Sequence, residues 1–232
     1  MDIECVDFAI SSKEKILFSP EPRNKLFAAS INNKKVKTVL NMSPLVIVAI
    51  HMSEHAERLI SLREKGPHFP VTDISTRQVA VFGTDYKHKA TFERDVTGKR
   101  LFNFTRRIKT DSKNNIYVLD WFDVDQRIGQ IVSMDMSGEK RFVYNGCAAF
   151  NTHEAAFNPE DIAVTSQDTT IISDNSNHAL HVLNINGELI GLQITKNSNI
   201  LYPCSLSIDN HNFLLIGCST DYAKMHVVKL LL

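Results

Sequence analysis

The sequence predicts an all-β protein built from about five repeated four-stranded sheets, arranged as a β-propeller. Three observations carry this prediction: a recurring thirteen-residue outline, hairpin signals after its copies, and the absence of sustained helical periodicity. A single four-stranded sheet cannot bury both of its faces, so a pattern of this kind is expected to recur along a chain. The predicted propeller domain comprises residues 1–232.

The repeated outline has an apolar first position, a small or polar fourth position, and an apolar run from about the ninth position. Four segments fit it without gaps: FAISSKEKILFSP from Phe8, IKTDSKNNIYVLD from Ile108, IAVTSQDTTIISD from Ile162 and LSIDNHNFLLIGC from Leu206. A fifth, beginning at Val48, fits if its connecting loop has a few extra residues. Units therefore begin near residues 8, 48, 108, 162 and 206, spaced by roughly 40 to 60 residues, close to the period of propeller blades.

Each unit continues with two alternating strands joined by a tight turn. The clearest example is His178–Ile194, where apolar residues alternate on both sides of Asn186-Gly187, a pair that tolerates positive φ. Ser137-Gly138 and Asn32-Asn33 occupy similar places in other units. The second strands, IYVLD, TIISD and FLLIG, are apolar throughout, so we expect neighbouring sheets to cover both of their faces.

Composition favours a cytoplasmic protein. Lysine plus arginine and aspartate plus glutamate each number 26, but residues 21–113 hold 18 basic and 9 acidic side chains whereas residues 114–232 hold 6 and 13. The four cysteines are scattered without a Cys-x-x-Cys pair, which favours reduced thiols over a zinc module. The N-terminus has no apolar signal segment, and the longest apolar run, Pro44–Ile50, is too short to span a bilayer.

The blades resemble a known repeat. In SDNSNHALHVLNINGEL (Ser173–Leu189), the aspartate, the asparagine three residues later, the apolar strand and the glycine turn are similar to the NHL repeat. The matching positions are Asp174, Asn177, Leu180, Val182 and Gly187. Over nearly the whole chain, the order of such features resembles the NHL-type propeller of tripartite-motif (TRIM-NHL) proteins.

Two departures from that family stand out. Its members normally begin with a RING, B-boxes and a coiled coil, and this chain shows neither a Cys/His cluster nor a long heptad segment. The family's propellers have six blades, whereas five units are recognisable here and the last stops after its third strand. These departures favour a truncated form or fragment of such a protein.

The resemblance implies a protein-interaction module similar to the substrate-recruiting propeller of a TRIM-type ubiquitin ligase, without a catalytic residue, cofactor or metal of its own. The chain is accordingly predicted not to be an enzyme. Family propellers bind partners through loops on one face. Trp121, the only tryptophan, either anchors a partner from an exposed loop or fills the groove between two blades. The candidate partner-binding residues are Trp121, Phe122, Arg106, Arg107, Arg100, His68, Asn175 and Tyr222.

Two other functions stay open at this point. The basic residues Lys99, Arg100, Arg106 and Arg107 are of the type that contacts phosphates, so the basic half provides a possible RNA-binding face. Some six-bladed propellers are calcium-dependent hydrolases that use carboxylates and amides. The residues available for that role are Asp120, Asp174, Asn175 and Asn177.

Overall fold

A computed structural model describes residues 5–11, 15–30, 32, 35–123, 128–220 and 224–230. The chain divides into two compact units, Met1–Ile108 and Lys109–Leu232. Within the described ranges the secondary structure consists of nineteen strands and one short 3₁₀ helix, Lys196–Ser198. No helix in these ranges is long and apolar enough to cross a membrane.

The first unit contains two four-stranded antiparallel sheets in which sequential strands are neighbours. The first sheet consists of β1 (Cys5–Ser11), β2 (Lys15–Pro20), β3 (Lys25–Ser30) and β4 (Val36–Asn41). The second consists of β5 (Val46–Met52), β6 (Arg58–Arg63), β7 (Arg77–Phe82) and β8 (His88–Phe92).

Three further antiparallel sheets follow, and the division between the units falls within the first strand of the third sheet. The third sheet consists of β9 (Phe104–Thr110), β10 (Ile116–Asp123), β11 (Ile128–Met134) and β12 (Lys140–Tyr144). The fourth consists of β13 (Pro159–Val164), β14 (Thr170–Asp174), β15 (Ala179–Leu183) and β16 (Leu189–Ile194). The fifth has three strands in the described residues: β17 (Pro203–Ile208), β18 (Phe213–Cys218) and β19 (Met225–Lys229).

The prediction of an all-β chain with five propeller blades is confirmed. Neighbouring sheets in each unit bury apolar residues against one another, as propeller blades do. In the first unit this core includes Leu17 and Leu26 from the first sheet with Ile60 and Ala80 from the second. In the second unit it joins the fourth and fifth sheets.

The fourth position of the repeated outline begins a five-residue turn between the first and second strands. Its N–H donates to the carbonyl four residues later at 2.9–3.1 Å. Its side-chain oxygen accepts the N–H of that same later residue at 2.8–3.2 Å. This double hydrogen bond explains the small polar residue at that position, because an apolar side chain could not accept the N–H. The four turns are Ser53–Glu57, Asp111–Asn115, Thr165–Thr169 and Asp209–Phe213.

These turns also correct the alignment of the second unit. Because its turn begins at Ser53, the first position of the outline falls at Ile50 rather than Val48, and no extra residues are needed. The other first positions, Phe8, Ile108, Ile162 and Leu206, each lie in the first strand of a sheet.

The predicted hairpin at Asn186-Gly187 forms with a different turn. The turn starts at Asn184, whose N–H donates to the Glu188 carbonyl at 2.9 Å and whose Oδ1 accepts the Asn186 and Glu188 N–H groups. Only the glycine of the Asn-Gly pair has a positive φ, +83°. The residue that needs left-handed freedom is therefore Gly187 alone.

Replacing Gly187 with alanine is expected to lower the free energy of unfolding by about 2 kcal/mol, because strain and a clash coincide. A Cβ at this position would overlap the ring of Phe142. Gly98 provides a matched control, since its φ is +82° and nothing would lie within 4 Å of its Cβ. Urea unfolding should show a smaller loss for Gly98→Ala, and equal losses would mean that the Phe142 ring yields without cost.

The second strand of the fifth sheet differs from the prediction that both of its faces are covered. Leu214 and Ile216 are buried against the fourth sheet, whereas Phe213, Leu215 and Gly217 are only half-buried. In contrast, β14 is buried along its whole length. An apolar sequence is thus shared by both strands, but only β14 has cover on both faces within the described residues.

Candidate functional site

Trp121 is buried in β10 and is not an exposed loop residue. Its Nε1 donates a hydrogen bond to the Pro159 carbonyl at 2.8 Å, at the start of the next sheet's first strand. The indole fits because Gly129 lies opposite it in β11, where a Cβ would come within 2.8 Å of the ring. Of the two positions considered for Trp121, an exposed loop is contradicted by its burial, and the groove between two blades agrees with its contact to Pro159.

Three more predicted residues belong to the second unit. Phe122 is exposed beside Trp121 in β10. Asn175 is buried, and its Nδ2 donates to the Pro203 carbonyl and to Ser219 Oγ, each at 3.2 Å, so this amide joins segments of the blades. Tyr222 lies outside the described residues.

Arg106 and Arg107 lie half-buried in β9 and interact electrostatically with a carboxylate of β1. Burial raises the pKa of Asp7, and the positive charge of Arg107 opposes that shift without cancelling it. Asp7 Oδ2 also accepts the Ile50 N–H at 2.8 Å, which links β1 to β5. The two arginines therefore stabilise the charged form of a carboxylate in β1.

His68 and Arg100, by contrast, belong to two connections at one surface of the first unit. The β6–β7 connection, residues 64–76, and the β8–β9 connection, residues 93–103, contact one another there. We call these two connections the loop surface. Thirteen residues is a long connection, and long ordered connections often serve binding.

Arg77 anchors the first of these connections from below. Its side chain is only 1% exposed, and its guanidinium bonds to the carboxylate of Glu64 and to the carbonyls of Thr76 and His68. Glu64 Oε2 also accepts the Thr76 N–H at 2.9 Å. The buried guanidinium of Arg77 therefore binds the beginning, middle and end of the connection, as its fixed planar geometry allows.

Arg63 extends this anchor at the end of β6. Its Nη1 donates to the carbonyls of Glu64 and Gly66, each at 2.8 Å. Because Arg63 and Arg77 both bind main-chain carbonyls of the connection, buried donors help to fix its path.

The second connection is fixed by its own turn. Asp95 Oδ1 accepts the N–H groups of Thr97 and Lys99 at 2.9 and 3.0 Å. The Gly98 N–H donates to the Asp95 carbonyl at 2.9 Å, with Gly98 in a left-handed conformation. This is the same five-residue turn that joins strands within the blades.

Two guanidiniums join the connections to one another. Arg94 donates through Nη1 to the Gly98 carbonyl at 3.0 Å and through Nη2 to the Asp73 carbonyl at 3.2 Å. Arg100 Nη2 donates to the Thr72 carbonyl at 2.9 Å, while its Nη1 pairs with Glu93 at 3.4 Å. The predicted site residue Arg100 thus holds the loop surface together.

His68 packs its ring on Phe104, with 4.7 Å between the ring centroids. Burial lowers the pKa of His68, and the positive charges of Arg63 and Arg77 lower it further, so the imidazole is neutral at pH 7. Burial raises the pKa of Glu64, but the hydrogen bond and charge of Arg77, together with backbone hydrogen bonds, outweigh burial and leave the pKa below its ordinary value. The anchor therefore combines a charged carboxylate with a neutral imidazole at neutral pH.

The tips of the two connections carry the most exposed aliphatic side chains of the loop surface. Ile74 is 93% exposed and Val96 is 101% exposed. Each lies within two residues of a carbonyl bound by the Arg94 guanidinium, so the two tips are held beside each other. Sequence reasoning missed this pair, although an isolated aliphatic residue inside polar TDIST and RDVTG segments was a readable signal.

The carboxylates considered for calcium are engaged within the second unit. Asp174 is fully buried and accepts hydrogen bonds from Asn151, Asn177 and other donors, while Asp120 Oδ2 accepts one from Gln130 at 3.0 Å. In the part of the chain that the structure describes, no three His, Cys, Asp or Glu residues are grouped to hold a metal ion. These contacts are those of residues that cap strands and order turns.

No protein-family model and no curated protein sequence matches the chain. Solved structures do match it. The chain is similar to a streptogramin B lyase structure, with 12% identity and a TM-score of 0.63 over 100% of this chain and 70% of that one. It is similar to a luciferin-regenerating enzyme, with 10% identity and a TM-score of 0.66 over 100% of this chain and 79% of that one. It is also similar to a chain of a nidogen/laminin complex, with 14% identity and a TM-score of 0.66 over 97% of this chain and 76% of that one.

The prediction that the chain is not an enzyme is contradicted by these similarities, because two of the three structures are enzymes. The same fold also occurs in a protein complex. At identities of 10–14% the similarity establishes the fold alone. The chain is a β-propeller protein whose fold is shared by enzymes and by members of protein assemblies.

Proposed function

We propose that the chain binds a partner protein through the loop surface of its first unit. The observation that carries this proposal is the pair of exposed aliphatic residues, Ile74 and Val96, at the tips of two clamped connections. Exposing an aliphatic side chain to water is unfavourable, and its burial in a partner contributes about 25 cal/mol per Å². Rigid loops that present apolar side chains bind with little loss of conformational entropy.

The contacts of the arginines favour a protein partner over RNA. Arg63, Arg77, Arg94 and Arg100 all donate to main-chain carbonyls of the loop surface, and two of them also bind carboxylates. These donors are thereby committed to holding the connections, whereas nucleic-acid affinity depends on cations that contact phosphates.

The role that best agrees with the sequence resemblance is that of a substrate-recruiting propeller, as in TRIM-type ubiquitin ligases. Under this proposal the loop surface selects the substrate. Residues near the tips that can add polar contacts at the rim include Asp73 and Lys99.

The test uses peptides selected from a random phage-displayed library on the full chain. A selected peptide is labelled and its Kd is measured by fluorescence anisotropy for the wild type and for the Ile74→Ser/Val96→Ser double variant. We expect the double variant to bind at least tenfold more weakly, about 1.4 kcal/mol, because both apolar anchors are lost. Val143→Ser, which removes a partly exposed valine of β12, is the matched control and should bind like the wild type.

Selected peptides that all bind the double variant as well as the wild type would contradict the proposal. A labelled single-stranded uridine oligonucleotide provides the second arm. Affinity for it that falls steeply with salt, and that exceeds the peptide affinity at physiological ionic strength, would favour the RNA-binding alternative.

A further inference from the structure

Within the described residues, the third strand of the fifth sheet, β19, lies exposed at the edge of the sheet. In the other sheets the third strand pairs with a fourth, and in the fourth sheet β15 is almost entirely buried. In β19 the equivalent positions are exposed, with Met225 at 68% and Val227 at 57%. Within the described residues, β19 therefore has the apolar sequence of an internal strand at the edge of a sheet.

The pairing of β19 with β18 fixes which backbone groups point outward. The Cys218 N–H donates to the Lys224 carbonyl at 3.0 Å, and the Leu230 N–H donates to the Asn212 carbonyl at 3.3 Å. Antiparallel strands alternate between residues bonded to the neighbour and residues whose N–H and C=O face away. The register then assigns the outward-facing groups of β19 to Met225, Val227 and Lys229.

Side chains of the same three residues lie on the face of the sheet that the fourth sheet does not cover. Ser205, Ser207, Leu215 and Gly217 on this face, together with Met225, help to line a concavity of about 480 Å³. A strand added beside β19 would place apolar side chains next to Met225 and Val227 on this face.

The charge of the edge indicates the character of its occupant. Lys224 and Lys229 flank the strand, both are exposed, His226 lies between them, and the segment from 224 to 229 contains no carboxylate. A strand with acidic residues opposite the lysines would be attracted, whereas a second basic strand would be repelled. A pair of β19 edges from two copies would bring four lysines to one junction.

We propose that β19 is a docking edge that accepts an extended partner segment as a fourth, antiparallel strand, with acidic residues opposite Lys224 and Lys229 and apolar residues between them. Backbone hydrogen bonds to Met225 and Val227 would supply affinity, and the flanking charges would select the segment. The site uses none of the residues of the loop surface, so either proposal can be correct or wrong without affecting the other.

The register specifies the probe. Read from its N-terminus, an antiparallel peptide Glu-Val-Val-Thr-Val-Glu places its glutamates opposite Lys229 and Lys224 and valines opposite Val227 and Met225. The labelled peptide is titrated with the full chain and followed by fluorescence anisotropy. Peptides with lysine in place of both glutamates, or with proline opposite Val227, should bind at least tenfold more weakly.

Two variants locate the site. Val227→Pro removes an outward-facing N–H while leaving the bonds to β18, and should weaken binding at least tenfold. Lys224→Glu/Lys229→Glu should reverse the preference toward the lysine-containing peptide. Lys113→Glu, an exposed charge change in a turn, should leave the affinity unchanged. If circular dichroism shows that Val227→Pro does not fold, the Lys224→Glu/Lys229→Glu variant alone tests whether the peptide binds at β19.

Three results would overturn the proposal: no binding of the acidic peptide, binding that neither variant weakens, or a dimer in sedimentation velocity that Val227→Pro dissociates. The last result would assign the edge to a second copy of the chain. Loss of the loop-surface affinity without loss of this peptide would leave the docking edge intact.

Discussion

Replacing Asp174 with alanine is expected to lower the free energy of unfolding by on the order of 4 kcal/mol, because several buried donors lose their acceptor at once. The carboxylate is fully buried and all of its contacts lie within the second unit. Its donors are Asn151 Nδ2 at 2.8 Å, the Asn158 N–H at 3.1 Å, Asn177 Nδ2 at 2.8 Å and His181 Nε2 at 3.2 Å.

The network continues beyond the carboxylate. Because His181 Nε2 faces Asp174, its Nδ1 is the acceptor for the Tyr144 hydroxyl at 2.7 Å. Burial raises the pKa of Tyr144, which keeps the phenol protonated as a donor. Removing Asp174 therefore disturbs the ring orientation of His181 as well as the capped turn.

Asp209→Ala is the control for this prediction. Asp209 accepts two N–H groups in the turn between the first and second strands of the fifth sheet, and it is only half-buried, so water can replace the lost acceptor. Urea unfolding monitored by circular dichroism should show a much smaller loss for this variant. If Asp174→Ala unfolds at the same urea concentration as Asp209→Ala, the buried network does not stabilise the fold as argued.

Replacing Arg77 with methionine should lower the free energy of unfolding by about 3 kcal/mol, since it leaves a carboxylate and two carbonyls without their buried donor. This loss in the free energy of unfolding is at the lower end of the range for breaking a buried ion pair. One third of the Glu64 side chain is exposed, so water can solvate the carboxylate. Hydrogen exchange at the Thr76 amide should accelerate, because that N–H is bonded to Glu64. The same variant should weaken the binding of any peptide whose affinity depends on Ile74 and Val96.

Arg94→Met provides the comparison, because Arg94 is exposed and also bonds two carbonyls of the loop surface. Its effect on stability should be about 0.5 kcal/mol, as for other surface changes. An Arg77→Met variant that matches it in stability and in exchange at Thr76 would refute the anchoring role of Arg77.

Much of the fold was readable from local sequence signals. A turn of five residues needs a side-chain acceptor at its first position. The sequence shows such acceptors at Asp111, Thr165 and Asp209, where these turns form. Gly187 likewise indicates the hairpin, because glycine readily adopts the positive φ found there. These features depend on residues close in sequence, so the sequence specifies them directly.

The candidate site was less predictable because exposure depends on residues distant in sequence. Trp121 extends the apolar run of β10 and is covered by Pro159, 38 positions further along the chain. Arg100 was chosen as a surface charge, yet its guanidinium bonds to Thr72, 28 positions earlier. Ile74 and Val96 are aliphatic, yet each stands alone in a polar segment between strands and is exposed.

The sequence alone determined that the chain forms repeated antiparallel sheets with capped turns, because short-range hydrogen bonding and alternation fix those features. Only the tertiary structure decided which apolar residues are covered. Phe213 and Leu215 belong to a strand as apolar as β14, yet they are only half-buried, whereas β14 is buried along its whole length. Burial is a property of the partner surface as much as of the residue, and that partner is brought close only by folding.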